Sequence, residues 1–442
     1  MAYTDYWNPR IETLPLDELR DIQNIKLQKQ MRYVYERSPF YRRKFDSMGV
    51  KPEHIRSVEN LAELPFTTKE ELRESQAECP PLGLHMAADL DKVVRVHSSS
   101  GTTGRPVFVG ITEHDRQTWI EIVSRVWWTQ GTRPTSRMMI GFSMGIFVGG
   151  LTMYDGLMNI GAMFIPIGTG ASERLLDTIQ AFNADILCCT PSYAIYLAEY
   201  ARNKAGLDPS ALGIKRIQCG AEPGGGVPGV RDRIAADWNA IVTESVGSAD
   251  VSGIYAAQCD ELHGNHFLAP DYVVYEIIDP DTGKVLSIED GVKGEIVITH
   301  IDRECVPLVR YRLRDYMLVQ TKPCKCGRTG HRLQCVGRTD DMLLVLGVNV
   351  FPSAVKDVVS KLRPKTTGEI QILLDKPGPK VEPPLKVRVE HGPDVQDLAA
   401  VKKEVEETIR GQLVCPNSVE LVPPGTLPRY EMKAQLIKKL YE

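Results

Sequence analysis

A short segment after the run KVVRV concentrates groups that bind phosphate. From His97 to Pro106 the chain reads HSSSGTTGRP, which brings hydroxyls, glycines and one cation together. Glycine lets backbone N–H groups approach phosphate oxygens, hydroxyls donate hydrogen bonds to them, and an arginine offsets their charge. The pattern lacks the glycine spacing and the Lys-Ser/Thr end of a P-loop. Composition alone also fits a surface turn, but a triphosphate would find its ligands here in Ser98, Ser99, Ser100, Gly101, Thr102, Thr103, Gly104 and Arg105.

The order of these residues is more specific than their composition, because SSGTTGRP resembles the SSGTTGKP signature of acyl-adenylate-forming enzymes. Other segments resemble phenylacetate-coenzyme A ligases over almost the whole chain, including TLPLDELRDIQ, LCCTPSYA, CGAEP, VPLVRYRLRD and GRTDDMLLVLGVNVFP. The resemblance implies an AMP-forming acid:coenzyme A ligase that uses ATP and Mg²⁺. Such an enzyme first makes an acyl-adenylate and pyrophosphate, and then transfers the acyl group to the thiol of coenzyme A.

The resemblance also assigns further residues to the nucleotide and the thiol. The segment Gly220, Ala221, Glu222 and Pro223 matches the family's GAEP, which lies against adenine and the aryl group. Asp315 matches the aspartate that binds the ribose hydroxyls, and two carboxylate oxygens suit a vicinal diol. Arg338 matches a residue near the ribose, Asp340 the hinge of the C-terminal domain, and Gly347 the wall of the coenzyme A tunnel.

The implied catalytic residues are Lys433, Arg105 and Asp250. Lys433, in GTLPRYEMK, matches the adenylation lysine, whose charge offsets the repulsion between the substrate carboxylate and the α-phosphate. Asp250 matches the acidic Mg²⁺ ligand of YGLSE, although this chain reads VGSAD. Val246 and Gly247 of that segment are assigned to the ATP site, where Val246 replaces an aromatic residue. Met432 stands where the family has glycine, which restricts the backbone just before Lys433.

The acid-binding region is apolar in this chain and differs from that of phenylacetate ligases. The stretch MMIGFSMGIFVGG aligns with a family segment that contains YGYGLF, so two tyrosines are replaced. The residues assigned to the acid are Phe142, Met144, Gly145, Ile146 and Ala221. We expect an aromatic or arylacetic acid, with a small branched or hydroxy acid as the alternative.

Cysteine and histidine spacing indicates a structural zinc site. Cys324 and Cys326 form a C-x-C, and Cys259 precedes His263 and His266 in a separate segment. Three thiolates and one imidazole suit a closed tetrahedral site. His266 aligns better with the family, so the predicted ligands are Cys259, His266, Cys324 and Cys326; free thiols and surface histidines are the alternative.

Three other functions use the same scaffold. An adenylyltransferase similar to coenzyme F390 synthetase transfers AMP to a deazaflavin hydroxyl and needs no thiol tunnel. A stand-alone adenylation domain loads an acyl-carrier protein. A nucleotide-binding pseudoenzyme is the fourth hypothesis, supported by Val246, Asp250 and Met432, but Lys433 and Asp315 argue against it.

These residues must be positioned by helices and strands, and the pattern of those elements, together with the family resemblance, predicts an α/β fold. It has a large N-terminal layered domain and a small mobile α+β C-terminal domain. Residues 1–90 read as its helical N-terminal part, 91–340 as the ATP- and acid-binding core, and 341–442 as the small domain that carries the lysine. Strand-like and helical runs alternate through the core. In the small domain, two amphipathic helices flank the strands EIQILLD and LKVRVEH.

Composition limits the partners. The 442 residues carry a formal net charge of -4, which argues against nucleic acid or an anionic membrane surface held by charge alone. No secretory signal pattern or long apolar stretch occurs, so we expect a cytoplasmic protein with small-molecule partners: a carboxylic acid, ATP and coenzyme A. The family resemblance leads us to expect a homodimer.

Overall fold

The computed structural model describes residues 3–98, 106–168, 170–431 and 433–441. Its α-helices, in chain order, are α1 (Pro9–Glu12), α2 (Leu16–Arg37), α3 (Pro39–Ser47), α4 (Lys69–Glu78), α5 (Glu113–Thr129), α6 (Leu151–Ile160), α7 (Ser172–Phe182), α8 (Pro191–Tyr200), α9 (Pro228–Trp238), α10 (Pro352–Ser360) and α11 (Leu398–Leu413).

The strands alternate with these helices through the first part of the chain. They are β1 (Arg95–Ser98), β2 (Phe108–Ile111), β3 (Arg137–Ile140), β4 (Met163–Pro166), β5 (Ile186–Cys189), β6 (Arg216–Cys219), β7 (Ile241–Val246), β8 (Ala256–Ala257), β9 (Asn265–Phe267), β10 (Val273–Ile278), β11 (Lys293–His300), β12 (Tyr311–Gln320), β13 (Arg332–Arg338), β14 (Leu343–Val345), β15 (Val348–Val350), β16 (Thr366–Leu374), β17 (Lys380–Val381), β18 (Leu385–His391), β19 (Asn417–Val422) and β20 (Ile437–Lys439).

The chain folds into two compact units. The first unit comprises the described residues of Met1–Ser136, Ser143–Ile165 and Ser245–Gln334. It contains the antiparallel pairs β1-β2, β10-β11 and β11-β12, and β8 pairs with both β9 and the end of β7. Helices α2 and α3 pack on Val274, Ile301 and Val309 in one of its apolar cores.

The second unit comprises the described residues of Arg137–Phe142, Pro166–Glu244 and Cys335–Glu442. Its parallel sheet has the order β3-β5-β6-β7, with Ile140 opposite Cys188 and Cys219 opposite Glu244. The C-terminal part forms a separate sheet of order β19-β18-β16-β20, covered by α10 and α11. Parallel strands linked by helices, followed by a small α+β sheet, confirm the predicted fold class.

Local sequence patterns account for several of these helices. Thr68 is the N-cap of α4, and its hydroxyl and the Glu71 carboxylate form a capping box that satisfies end N–H groups. In α5 the apolar side chains that recur at helical spacing are buried, and Trp127 is fully buried. In α11, Val401, Val405 and Ile409 lie on the core of the small sheet.

None of the described helices is both long enough and apolar enough to cross a lipid bilayer.

Candidate functional site

Two groups of predicted residues in the second unit lie at the carboxyl ends of parallel strands. Phe142 lies two residues after β3 and is buried, and Gly220 to Pro223 directly follow β6. Ligands of open α/β sheets bind outside the carboxyl ends of the strands, where loops and helix N-termini present backbone groups. The positions of Phe142 and of the 220–223 turn therefore suit a ligand site.

A buried carboxylate on the adjacent strand fixes the turn after β6. Glu244 Oε1 accepts hydrogen bonds from the N–H groups of Gly224 and Gly226, at 3.3 and 2.9 Å. A side chain at Gly226 would collide with this carboxylate, so glycine is required there. Ala221 has a φ of 70°, a conformation that is uncommon for a residue with a Cβ. The turn is thus held in a strained shape by its neighbours.

Glu222 links this turn to the segment that carries Lys433. Its Oε1 accepts a hydrogen bond from Ser192 N, in the first turn of α8, at 2.8 Å. Its Oε2 accepts one from Ala434 N at 2.6 Å, across 212 residues of sequence. Lys433 itself has an exposed side chain. The structure therefore brings the predicted adenylation lysine next to the predicted nucleotide turn.

The predicted ribose residue and the predicted hinge contact each other. Arg338, at the end of β13, forms an ion pair with Asp340 at 2.9 Å. Both side chains are about one-third exposed, at 33% and 36%. Desolvation, followed by the charge of Asp340, raises the pKa of the neighbouring Asp341.

Gly347 lies in the two-residue turn between β14 and β15. Leu346 and Gly347 both have positive φ, at 50° and 82°, which is the pattern of a type I′ hairpin turn. A Cβ at Gly347 would meet open space. The positive φ of this turn therefore accounts for glycine at position 347, whereas a lack of space does not. The role of Gly347 in a thiol tunnel stays a prediction.

In the first unit, the described flanks of the predicted phosphate loop form a hairpin. Ser98 is paired with Phe108 at the end of β1-β2, and Ser99, Ser100, Gly101, Thr102, Thr103, Gly104 and Arg105 lie outside the described residues. Ser98 N donates a hydrogen bond to Ile146 O at 3.1 Å. The start of the phosphate loop therefore adjoins the Met144-Gly145-Ile146 segment, where Ile146 is 53% exposed and free to line a ligand site.

The segment Val246-Gly247-Ser248-Ala249-Asp250 follows the end of β7. Val246 is buried, and a side chain at Gly247 would collide with the carbonyl oxygen of Gly253. Asp250 is only 8% exposed. Its Oδ2 accepts a hydrogen bond from the Tyr311 hydroxyl at 3.3 Å, whereas its Oδ1 has no hydrogen-bond partner among the described residues.

Asp250 also lines a small cavity with Val107, Phe108 and Val109, the strand that emerges from the phosphate loop. Its other lining residues in the same unit are Leu72, His85, Val306 and Leu308. A buried carboxylate oxygen without a partner is costly unless a cation or a donor satisfies it. The predicted Mg²⁺ ligand therefore has an acceptor oxygen without a partner among the described residues, beside the strand that follows the predicted triphosphate loop.

Asp315 lies on the inward face of β12, together with Tyr311, Leu313 and Met317. An acidic residue in such an apolar alternation is unusual. The arginines that flank it form ion pairs with Glu295, from Arg312 Nη2 at 2.7 Å and from Arg314 Nη1 at 3.8 Å. Both flanking arginines therefore have Glu295 as an ion-pair partner.

The four predicted zinc ligands come together in the first unit. Their ligand atoms lie within 4.8 Å of one another. Cys259 Sγ is 3.7 Å from Cys324 Sγ, and Cys326 Sγ is 3.3 Å from His266 Nε2. A tetrahedron with Zn–S bonds of about 2.3 Å has edges of about 3.8 Å. The donor set and its spacing therefore fit a structural zinc ion, and they agree with the choice of His266 over His263.

Within this cluster the pKa of Cys326 is lowered, which favours its thiolate, whereas the hydrogen bond to Cys326 raises the pKa of Cys259. Hydrogen bonding from Cys259, reinforced by His266, lowers the pKa of Cys326 despite its partial burial. His266 Nδ1 is buried and has no hydrogen-bond partner among the described residues. Thiolate and neutral imidazole are the forms that bind Zn²⁺.

Sequence reasoning missed several charged residues that surround the Lys433 segment. Arg429 Nε lies 2.9 Å from Glu199 Oε2 on α8, and its Nη2 lies 2.8 Å from Glu390 Oε2 on β18. Arg233 of α9 contacts Glu199 at 2.8 Å and Glu369 of β16 at 3.0 Å. No local signal marked these residues, because the strands of Glu390 and Glu369 also carry other polar side chains such as Lys386, Arg388 and Gln371.

Comparison with known proteins agrees with this arrangement. The family model described as "AMP-binding enzyme" matches residues 36–301, and "AMP-binding enzyme C-terminal domain" matches residues 347–439. A phenylacetate-coenzyme A ligase from Thermus thermophilus is 36% identical over 443 aligned positions, which cover 96% of this chain and 97% of that protein.

Solved structures of a 2-hydroxyisobutyryl-CoA ligase are also similar. The complex with R3-HIB-AMP in the postadenylation state has a TM-score of 0.92 at 30% identity, covering 99% of this chain and 93% of that one. The complex with 2-HIB-AMP and CoA in the thioesterification state has a TM-score of 0.74 at 32% identity, with the same coverage. The fold and these matches define an AMP-forming acyl-coenzyme A ligase. Within that class, the chain belongs to the phenylacetate-coenzyme A ligase family.

Proposed function

We propose that this ligase converts an aromatic or arylacetic carboxylic acid, through its acyl-adenylate, to the acyl-coenzyme A thioester. The observation that carries the proposal is the bond from Ala434 N to Glu222, which holds Lys433 beside the turn after β6. The apolar surroundings of the predicted acid site, including buried Phe142, support an aryl group. The similarity to phenylacetate-coenzyme A ligases over 96% of the chain supports the same acid class.

The roles of the residues follow from charge and position. The substrate carboxylate attacks the α-phosphorus of ATP, a P–O bond to pyrophosphate breaks, and acyl-AMP forms. Lys433 and Arg105 stabilise the negative charge that two anions accumulate as they approach. Asp315 binds the ribose hydroxyls with Arg338 nearby, and the 220–223 turn lies against the adenine. The thiol of coenzyme A then attacks the acyl carbon, and AMP leaves.

Magnesium has a suitable ligand in this chain. The buried Oδ1 of Asp250, which has no partner among the described residues, would bind Mg²⁺ next to the strand that follows the phosphate loop. The ion, when bound, neutralises phosphate charge and orients the triphosphate.

A structural zinc ion is part of the same proposal. Cys259, His266, Cys324 and Cys326 would hold it as a closed four-ligand site, far in sequence from the catalytic segment. Such a site leaves no open coordination position for a substrate. Its contribution is to fix the loop between β12 and β13 against β8 and β9.

A small branched or hydroxy acid is the second candidate. It is favoured by the likeness to the 2-hydroxyisobutyryl-CoA ligase, with a TM-score of 0.92 at 30% identity. The replacement of two family tyrosines by Phe142 and Met144, with Ser143 between them, also supports a reshaped site.

The test is a substrate panel with both half-reactions measured. Purified protein receives MgATP with aromatic, arylacetic or small hydroxy acids, and pyrophosphate, AMP and thioester are recorded with and without coenzyme A. We expect acyl-CoA from an arylacetic acid, and loss of pyrophosphate release in Lys433→Ala by at least about 100-fold. Lys438→Ala, which changes an exposed lysine in β20, is the control. A preference for small hydroxy acids would replace the first proposal by the second, and absence of acyl-AMP with every acid would overturn both.

A further inference from the structure

The carboxylate of Glu222 uses both of its oxygens on backbone N–H groups. One belongs to Ser192, in the first turn of α8, and the other to Ala434, the residue after Lys433. The distances of 2.8 and 2.6 Å are those of charge-assisted hydrogen bonds. Glu222 thus joins three separate parts of the chain at one point: the turn after β6, the start of α8 and the C-terminal segment.

A second anchor lies on the other side of Lys433. Arg429 contacts Glu199 of α8 and the fully buried Glu390 of β18, and Leu427 N donates to Glu390 Oε1 at 2.6 Å. Arg429 lies four positions before Lys433, and Ala434, which donates to Glu222, directly follows it. The segment is therefore anchored at Arg429 and at Ala434, on either side of the lysine.

Lys433 depends on this backbone support because its own side chain is exposed and long. A free lysine side chain loses conformational entropy when it is held in one place. Fixing the backbone on both sides of the lysine limits where its ammonium group can reach, so less ordering remains to be done when the anions arrive. Loss of one anchor should therefore lower the rate of the step in which Lys433 acts.

From these contacts we propose that Glu222 is a positioning residue for Lys433 in the acyl-adenylate step, an inference that rests on the function proposed above. Glu222 acts through the Ala434 N–H and not through direct contact with the reacting atoms. When the C-terminal domain reorients for thioester formation, this bond and the Arg429–Glu199 pair must break. The contribution of Glu222 is therefore confined to the first half-reaction.

The test compares the two half-reactions in Glu222→Gln. Glutamine keeps the shape of the side chain but has only one acceptor oxygen. Its NH₂ group would therefore face one of the two backbone N–H groups, and two donors cannot form a hydrogen bond with each other. We expect the maximal rate of acyl-AMP formation at saturating ATP to fall about tenfold, the loss of roughly one charge-assisted bond. The maximal rate at which coenzyme A consumes saturating supplied acyl-AMP should fall less. Glu420→Gln, which alters an exposed glutamate paired with Arg388, is the matched control.

The combination with Lys433→Ala separates positioning from nucleotide binding. If Glu222 acts through Lys433, Glu222→Gln adds no further loss in the Lys433→Ala background. Equal losses of maximal rate in both half-reactions, or full additivity, would overturn the inference. A wild-type chain that makes no acyl-AMP would instead overturn the proposed function.

A measurement on the wild type needs no variant. Hydrogen exchange at the Ala434 amide should be slow with ATP bound and faster once acyl-AMP and coenzyme A are present, because the bond to Glu222 breaks. Equal exchange in the two states would contradict the inference, even if Glu222→Gln failed to fold.

Discussion

Arg338 donates two hydrogen bonds to the carboxylate of Asp340, from Nε to Oδ1 at 2.9 Å and from Nη2 to Oδ2 at 3.0 Å. This bidentate geometry fixes the direction of both side chains. The pair lies between β13 and β14, where the chain enters the C-terminal part of the second unit. If Asp340 is the hinge, Arg338 holds it in one of its two backbone conformations.

Replacement of Asp340 by proline should separate the two half-reactions. Proline fixes φ near -65° and restricts the preceding residue, so the backbone rotation of a hinge becomes costly. We expect thioester formation from supplied acyl-AMP to slow by at least about tenfold, while acyl-AMP formation changes less. Both rates are measured by quenched flow. Asp340→Ala, which removes the ion pair but keeps backbone freedom, should preserve thioester formation, and equal losses in the two variants would exclude a hinge at this position.

Sequence reasoning reached the fold because each element has a strong local cause. The capping box at Thr68, the apolar face of α5 and the alternation of β18 are encoded within a few residues. The resemblance supplied the candidate site, since no local pattern marks a lone lysine such as Lys433. Three cysteines and one histidine at suitable spacing also predicted the metal cluster that the structure brings together.

The contacts around Lys433 could not be predicted from sequence. The bond from Ala434 to Glu222 uses a backbone N–H, which carries no sequence signal, and joins residues 212 positions apart. The Arg429, Glu199 and Arg233 network depends on how helices α8 and α9 pack against the C-terminal sheet. The strands of Glu369 and Glu390 also carry other polar residues, so nothing in their pattern marked these two carboxylates as buried.

Removal of the Asp250 charge should increase the Mg²⁺ requirement. Asparagine keeps the size and can still accept the Tyr311 hydrogen bond, but it loses the charge that attracts a divalent cation. We expect Asp250→Asn to raise the Mg²⁺ concentration for half-maximal pyrophosphate release by at least about tenfold. The measurement is a Mg²⁺ titration at saturating ATP. Asp281→Asn, in an exposed turn, is the control, and an unchanged titration would rule out Asp250 as a ligand.

Loss of one cysteine should remove zinc from the chain. We expect about one zinc per wild-type chain and almost none in Cys324→Ser, because a closed site depends on all four ligands. The unfolding temperature of the variant should also fall, since the loop between β12 and β13 loses its link to Cys259. Elemental analysis and native mass spectrometry measure the metal. Cys79→Ser changes an exposed cysteine outside the cluster and should keep the zinc; a wild type without zinc would contradict the proposed site.

Acid should weaken the attachment of the C-terminal sheet through Glu369. Burial alone would raise the pKa of Glu369, but the charges of Lys356, Arg233 and Arg429 overcome it and lower that pKa to about 2. A depressed carboxyl pKa contributes stability that is fully present above the unfolded value of 4.5 and is lost as the pH falls towards about 2. The contribution at neutral pH is on the order of 3 kcal/mol.

We therefore expect the unfolding temperature of the wild type to fall between about pH 4.5 and pH 2 more steeply than that of Glu369→Gln. The variant cannot ionise at this position, so it is less stable than the wild type at neutral pH and the difference shrinks in acid. Differential scanning calorimetry across this range measures both effects. Glu382→Gln alters an exposed glutamate paired with Lys376 and should keep the wild-type slope. Parallel curves for the wild type and Glu369→Gln would mean that Glu369 is not ionised among its three cations.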